Sequence, residues 1–258
     1  MQNVLGRVAR MVGLYGPLRS MKARWDRRRP EAVEHQDKMR RFYGAFVRAG
    51  DVVFDIGCNN GNRAEIFLGL GARVVGVEPQ PGCQGVLRRL FGHEPGFTLV
   101  GKALGESEGE ARMFLNDASV LATMSREWMD KTAATGRFEA EAWRKEITVP
   151  ITTLDRLIAE HGEPAFCKID VEGFELHVLR GLTRPVRALS LEVMRESADT
   201  IVACVDRLSS LARYEYNYSL GESMEMERER WMSPEEASEF IRTGLAPGVF
   251  ADLYARRA

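Results

Sequence analysis

The sequence predicts an α/β protein with a mostly parallel, doubly wound sheet, and three observations support this. Short apolar runs of strand length alternate with amphipathic runs of helix length along most of the 258 residues. A turn containing Gly57 and Gly61 follows the first strand. Acidic residues follow several strands, at the edge where open α/β sheets bind their ligands. One domain of this kind accounts for nearly all of the chain.

The N-terminal part, residues 1–48, is predicted to be a basic helical extension of the main domain, residues 49–258. Residues 1–29 contain eight basic side chains and a single acid, Asp26. We interpret this segment as a cap on the core, with contact to an anionic membrane as the alternative. Arg7 and Arg10 interrupt the apolar stretch that a signal peptide would need, so we expect a cytoplasmic protein.

The elements of the main domain follow from periodicity and turn residues. A helix over 31–48 ends at Ala49-Gly50, and 52–56 is a continuous apolar run typical of a buried strand. Further strands are predicted over 73–77, 97–100, 147–151, 165–169, 186–191, 214–218 and 249–254. Further helices are predicted over 62–70, 82–91, 154–160, 174–182 and 198–211, with a last helix opened by Ser233-Pro234. The last strand is expected to be antiparallel.

A polar, helix-prone insertion over 119–146 interrupts the alternation, after a hairpin region at 111–115. It contains Trp128 and Trp143 with Gly136 between them. Such a segment suits a lid over a hydroxyl-rich substrate. Tyr214, Tyr216 and Tyr218 alternate on a predicted strand, where they either stack on a sugar or pack under the following helix as core.

The composition restricts the classes of partner and metal site. The formal net charge is −1, which argues against a nucleic-acid binder that depends on phosphate contacts. The four cysteines are Cys58, Cys83, Cys167 and Cys204; none forms a C-x-x-C pair, so neither a zinc cluster nor a disulfide framework is indicated. Reduced, buried thiols are the expectation.

The turn after the first strand predicts a nucleoside-type ligand. Asp55 ends the strand, and Gly57 and Gly61 permit a tight turn before a helix begins. A dinucleotide fingerprint would need glycine at 59 and a small residue at 62, but the chain has Asn59 and Asn62. S-adenosylmethionine (SAM) has no phosphate and carries an amino group that Asp55 is suited to bind, so SAM is favoured over NAD.

Acidic residues follow three further strands. Glu78, about twenty residues beyond the glycine turn, is placed to accept hydrogen bonds from both ribose hydroxyls. Asp170 and Glu172 follow the strand at 165–169, and Glu192 ends the next strand. A carboxylate there is suited to remove the proton of an alcohol acceptor. Asp170, Glu172 and Glu192 are also suited to bracket a divalent cation, so metal use stays open.

The chain resembles the FkbM-type methyltransferases, SAM-dependent O-methyltransferases that act on sugars, glycans and natural products. The resemblance covers about residues 51–193 and is carried by D-I-G-C-N-N-G from Asp55, V-E-P from Val77, K-A-L-G from Lys102, T-L-D from Thr153 and K-I-D-V-E-G-F-E from Lys168. The chain departs from the family pattern at Cys58 and Asn60, and neither change abolishes the turn.

The resemblance implies a Rossmann-like, class I methyltransferase fold and a set of site residues. It places Asp55, Gly57, Asn59 and Glu78 along the SAM pocket, Ala103 near the adenine, and Asp170 and Glu172 beside the transferred methyl group. Together with Gly61 of the turn, these are the predicted cofactor and catalytic residues. Glu192, Trp128 and Trp143 are the predicted contacts to a small-molecule or glycan acceptor.

Two other functions compete with O-methyl transfer. An NAD-dependent oxidoreductase has the same general architecture, but the glycine spacing disfavours it. A catalytically silent SAM-fold scaffold, acting through its basic N-terminus, is disfavoured by the retained acids Asp170 and Glu172.

Overall fold

A computed structural model describes residues 30–116, 122–134, 143, 145–246 and 248–258. The helices are α1 Pro30–Tyr43, α2 Asn62–Gly69, α3 Pro81–Phe91, α4 Arg126–Ala134, α5 Leu154–His161, α6 Glu175–Arg180, α7 Ala198–Leu211 and α8 Pro234–Thr243. The strands are β1 Val52–Ile56, β2 Arg73–Val77, β3 Phe97–Val100, β4 Ala103–Leu104, β5 Gly109–Leu115, β6 Lys145–Thr152, β7 Phe166–Ile169, β8 Ala188–Met194, β9 Tyr214–Leu220 and β10 Phe250–Arg257.

The main sheet has seven strands in the order β3-β2-β1-β7-β8-β10-β9. The first five are parallel, and β10 runs antiparallel to both β8 and β9. The predicted doubly wound sheet with an antiparallel C-terminal strand is therefore confirmed. The chain leaves β1 toward β2 on one side and returns through β7 on the other, which opens a crevice at the carboxyl ends of these strands.

A second sheet of three strands, in the order β4-β6-β5, was not predicted as a unit. The strand found near 111–115 pairs antiparallel with β6, from Gly109 opposite Ile151 to Leu115 opposite Lys145. The hairpin thus closes across the insertion. Local periodicity does not reveal such a pairing, because the partners are separated by about thirty residues in the chain.

The helix α1 is packed into the core of the sheet domain. It ends at Tyr43, five residues before the predicted end, because the chain turns there with Phe46 N–H bonded to the Tyr43 carbonyl at 2.9 Å. Met39, Tyr43 and Phe46 are buried, and both rings pack near Phe166 of β7. The basic segment at 1–29, with its predicted capping or membrane role, lies outside the described residues.

The cysteines, the alternating tyrosines and the possibility of a membrane-spanning helix remain to be compared with the structure. The four cysteines are free and buried, as predicted. Tyr214 and Tyr216 are buried, and Tyr218 stacks on Phe240 of α8 with ring centroids 3.8 Å apart, so the tyrosines form core under that helix. No helix in the described part of the chain has the length and apolarity to cross a membrane.

Candidate active site

A cavity of about 490 Å³ lies at the carboxyl ends of the parallel strands, within the size range of small-ligand sites. Its lining includes the loop after β1, the ends of β2, β7 and β8, and apolar side chains from the smaller sheet. The predicted residues that it brings together are Asp55, Gly57, Asn59, Glu78, Ala103, Asp170, Glu172 and Glu192. Trp128, Trp143 and Gly61 do not line it.

The glycine turn fixes the distance between the β1 and β7 loops. Gly57 has a φ of 82°, and a Cβ there would lie 1.8 Å from the carbonyl oxygen of Asp170. A Cβ at Gly61, where φ is 77°, would lie 2.4 Å from the Phe91 ring. Only glycine fits both positions, so Gly61 supports the turn from behind while Gly57 lets the two loops touch.

Glu78 is almost fully buried and holds the glycine turn as well as facing the cavity. Its Oε2 accepts the Asn59 N–H at 2.8 Å, and its Oε1 accepts the Gln80 N–H at 2.8 Å. A carboxylate oxygen has two lone pairs and can accept from more than one donor. The backbone contacts therefore hold the Glu78 carboxylate in the cavity wall, and its contact with a ribose stays a prediction.

Asp55 is a buried carboxylate whose Oδ2 has no hydrogen-bond partner among the described residues. Burial raises the pKa of this carboxyl above its ordinary value, and the Lys168 ammonium opposes the rise. A buried acceptor left unpaired is costly unless a ligand satisfies it. The side chain therefore fits a cationic ligand group, such as the amino group of a SAM methionine moiety.

Asp170 is neutralised by a lysine from its own strand. Lys168 Nζ lies 2.6 Å from Asp170 Oδ2, and the lysine side chain is almost fully buried. Burial alone would lower the pKa of Lys168, but Asp170 and Asp252 outweigh it and hold that pKa above the ordinary lysine value. Asp170 is thus held as one half of an ion pair instead of standing as an isolated base.

Glu172 and Glu192 form an acidic pair beside this ion pair. Carboxylate oxygens of Asp170, Glu172 and Glu192 all lie within 4.8 Å of one another. Burial is the main cause that raises the pKa of Glu172 and of Glu192 well above the ordinary value; repulsion by Glu192 and Asp170 adds to it for Glu172, and repulsion by Asp170 for Glu192. Neighbouring carboxylates of this kind hold a shared proton or a divalent cation.

The loop carrying Glu172 is held in an unusual conformation. Glu172 and Gly173 have φ values of 53° and 86°. Glu175 Oε1 accepts the N–H groups of Val171 and Gly173 at 3.3 and 3.2 Å, and the Thr123 hydroxyl donates to the Glu172 carbonyl at 2.6 Å. Glu175, in the first turn of α6, therefore stabilises the loop that precedes this helix.

The two tryptophans of the insertion occupy a packed wall behind the loop. Trp128 and Trp143 are buried, with ring centroids 5.8 Å apart in an edge-to-face contact. A Cβ on Gly173 would lie 2.6 Å from Trp128, so this ring rests directly on the loop. The expected position facing a substrate differs from this one, and an acceptor contact by either ring stays a prediction.

Sequence reasoning assigned no role to Lys168, Thr123 or Arg63. Lys168 was part of the motif, but nothing in the pattern shows that its side chain turns toward Asp170. Thr123 belongs to the insertion, and nothing in the pattern shows that its hydroxyl contacts the Glu172 carbonyl. Arg63 lines the cavity and pairs with Glu222 at 2.6 Å, a contact between residues far apart in sequence.

This strand order, with a cavity at the ends of β1, β2, β7 and β8, is that of the class I SAM-dependent methyltransferase fold. The methyltransferase FkbM domain family model matches residues 55–218, more than half of the chain. The chain therefore belongs to the FkbM methyltransferase domain family, as its motifs predicted, and the NAD-dependent oxidoreductase is set aside. No curated protein matches the chain.

Solved structures with a similar fold include three methyltransferases. The precorrin-6y C5,15-methyltransferase of Geobacter metallireducens is 13% identical, with 89% of this chain and 90% of that chain covered and a TM-score of 0.43. A putative RNA methyltransferase of Pyrococcus horikoshii is 10% identical, with coverages of 90% and 86% and a TM-score of 0.44. A putative methyltransferase of Streptococcus mutans, in complex with SAH, is 10% identical, with coverages of 89% and 98% and a TM-score of 0.40.

Proposed function

We propose that the protein transfers the methyl group of SAM to a hydroxyl of a saccharide, glycan or natural-product acceptor. The observation that carries this proposal is the half-buried pair Glu172 and Glu192 in the cavity wall, whose pKa values are both raised. An alcohol needs a base as its bond to carbon forms, and a carboxylate with a raised pKa is suited to that task.

The cavity fits SAM in three respects. The unpaired Asp55 Oδ2 suits the cationic amino group, and Glu78 has acceptor capacity for the ribose hydroxyls. The apolar side provided by Ala103, Met113 and Met124 suits the adenine. The chemistry that bound SAM supplies is a methyl group on a positively charged sulfur, whose displacement leaves a neutral thioether.

The residues of the chain then move one proton. The carboxylate of Glu172 or Glu192 accepts the hydroxyl proton of the acceptor while the hydroxyl oxygen forms its bond to the methyl carbon. Asp170 and Lys168 together keep a fixed pair of charges beside the reacting atoms, which needs no reorganisation during the step.

A small acceptor is favoured over a nucleic acid. The site contains three acids within 4.8 Å of one another, which would repel a phosphate backbone, and the net charge of the chain is −1. The four free, buried thiols are in keeping with the reducing cytoplasm.

Two measurements test the proposal in order. Calorimetry should show saturable binding of S-adenosylhomocysteine and none of NADH. Label from [methyl-³H]SAM should then appear on hydroxyl acceptors from a panel of sugars, glycosides and polyketides. Transfer only to carbon or nitrogen acceptors would overturn O-methylation, and cofactor binding without any turnover would favour a silent scaffold.

The same assay tests a metal at the acids. The ion pair with Lys168 already compensates Asp170, so we expect full turnover in EDTA. Activity that EDTA removes and magnesium restores would assign the three carboxylates to a cation and not to the proton.

A further inference from the structure

A second cavity lies at the opposite edge of the main sheet. The two cavities lie at opposite ends of β8 and β10. Met194 and Phe250 line the first cavity, and Ala188 and Arg256 line the second. A seven-residue strand at about 3.3 Å per residue separates them by roughly 20 Å. A ligand in the second cavity is therefore out of reach of the acids in the first.

The second cavity has a volume of about 470 Å³ and combines cationic and apolar side chains. Its lining contains four arginines and no acid: Arg41, Arg187, Arg256 and Arg257. The remaining lining is Phe42, Ala45, Phe46, Ala188, Met226 and Trp231. A cationic rim over an apolar floor is a combination that suits an anion attached to an apolar body.

The charge of the rim is largely uncompensated within the described residues. Arg256 pairs with Glu215 at 2.5 Å, but no described acid forms an ion pair with Arg41, Arg187 or Arg257. The Arg257 N–H donates to the Arg187 carbonyl at 2.9 Å, which holds these two residues side by side.

The floor is built from aromatic rings of α1 and of the segment before α8. The Arg256 guanidinium lies 4.0 Å from the centroid of the Trp231 ring, so the two side chains form a cation–π contact. Phe46 meets the Trp231 ring edge to face at 6.5 Å and stacks on Tyr254. These contacts fix the floor before any ligand arrives.

We propose that this second cavity binds a phosphate-bearing amphiphile. Arg187 and Arg257 bind the phosphate, because guanidinium forks match phosphate oxygens in bidentate geometry. Phe42, Phe46 and Trp231 contact the apolar part. The cavity holds one such group and offers no extended track, so a nucleic-acid strand fits it less well.

Calorimetry of the full chain with monomeric dihexanoyl phosphatidate tests this site. We expect saturable binding, weakened at least tenfold by Arg187→Glu or Arg257→Glu, since each reverses an exposed charge at the rim. Arg242→Glu on α8 makes the same charge change outside the cavity and should leave binding unchanged. Unchanged binding of S-adenosylhomocysteine in all three variants reports that the fold is intact.

Three outcomes overturn the proposal: no saturable binding, equal loss in Arg242→Glu and Arg187→Glu, or inorganic phosphate binding as tightly as the lipid. Vesicles of phosphatidylcholine with and without phosphatidate then separate the two sources of the ligand. Recruitment to phosphatidate vesicles that Arg187→Glu abolishes supports a membrane source. Binding of the soluble lipid without recruitment supports a free amphiphile.

Discussion

At the scale of single residues, the acids of the cavity differ in what holds them. Asp170 has a lysine 2.6 Å away, Glu78 has two backbone N–H groups, and Asp55 leaves one oxygen unpaired. Glu172 and Glu192 have each other and a low-dielectric surrounding, which raises the pKa of both. Residue type alone therefore does not assign a role, because the neighbours decide which acid is charged.

The first prediction concerns the base. Glu172→Gln or Glu192→Gln should lower kcat about a hundredfold, the usual worth of a positioned base, while the exposed Glu108→Gln should leave it unchanged. In the wild type, a base with a raised pKa loses its charge well above the ordinary carboxyl range as the pH falls. As the pH is lowered, kcat should therefore begin to fall while the pH is still above about 5, and a rate that stays constant down to that pH contradicts the assignment.

The second prediction concerns Glu78. Glu78→Ala should weaken binding of S-adenosylhomocysteine by about 1–3 kcal/mol, because it removes the ribose acceptor and leaves the Asn59 and Gln80 N–H groups unpaired. Glu78→Gln should also weaken binding, since an amide offers only one acceptor oxygen to these donors. Calorimetry measures both, with the exposed Glu94→Ala as the control. Unchanged affinity in folded protein would place the ribose site elsewhere.

Most of the predicted site residues line the cavity, because the carboxyl ends of parallel strands meet at one edge of the sheet. Asp55, Glu78, Asp170 and Glu192 all follow apolar runs whose period is readable, and all line one cavity. Lys168 could not be assigned in the same way. Its pairing with Asp170 depends on side-chain direction and on the distant Asp252, neither of which a local pattern contains.

At the scale of elements, the insertion supports the catalytic loop. The helix α4 places Trp128 on Gly173, and Thr123 just before it donates to the Glu172 carbonyl. The insertion was predicted as a lid from its polar composition. Composition indicates average exposure, but it does not show that Trp128 of α4 is buried against Gly173, far away in the sequence.

The third prediction separates support from substrate contact. Trp128→Ala should destabilise the protein by about 3–5 kcal/mol and lower kcat, because it opens a cavity behind the loop that positions Glu172. Affinity for S-adenosylhomocysteine should be spared. Thermal unfolding and steady-state kinetics measure these effects. A raised acceptor KM with unchanged kcat and stability would instead show that the ring contacts the acceptor.

At the scale of the whole molecule, the mostly parallel, doubly wound sheet was predictable because alternating strands and helices form a local pattern. The smaller sheet was not, since β5 and β6 lie on either side of the insertion in the sequence and a local pattern does not show that they pair. The resulting domain encloses several acids whose pKa values burial raises, among them Asp55, Glu172, Glu175 and Glu192. Because the pKa values of these acids differ between the folded and the unfolded protein, the stability of the fold depends on pH.

The last prediction follows from Glu175, a fully buried side chain whose pKa burial raises from 4.5 to about 7. Between these values the folded state keeps a proton that the unfolded state has released, so the unfolding free energy falls as the pH rises through this window. Glu175→Gln cannot ionise, and its amide oxygen can still accept the Val171 and Gly173 N–H groups. At about pH 8 the variant should therefore be more stable than the wild type by roughly 1–3 kcal/mol, and at about pH 4 the difference should vanish. Urea unfolding at both pH values measures it, with the exposed Glu239→Gln as the control. A variant less stable at the higher pH, or a difference independent of pH, would show that Glu175 is charged in the folded protein and that its ionised form stabilises the loop.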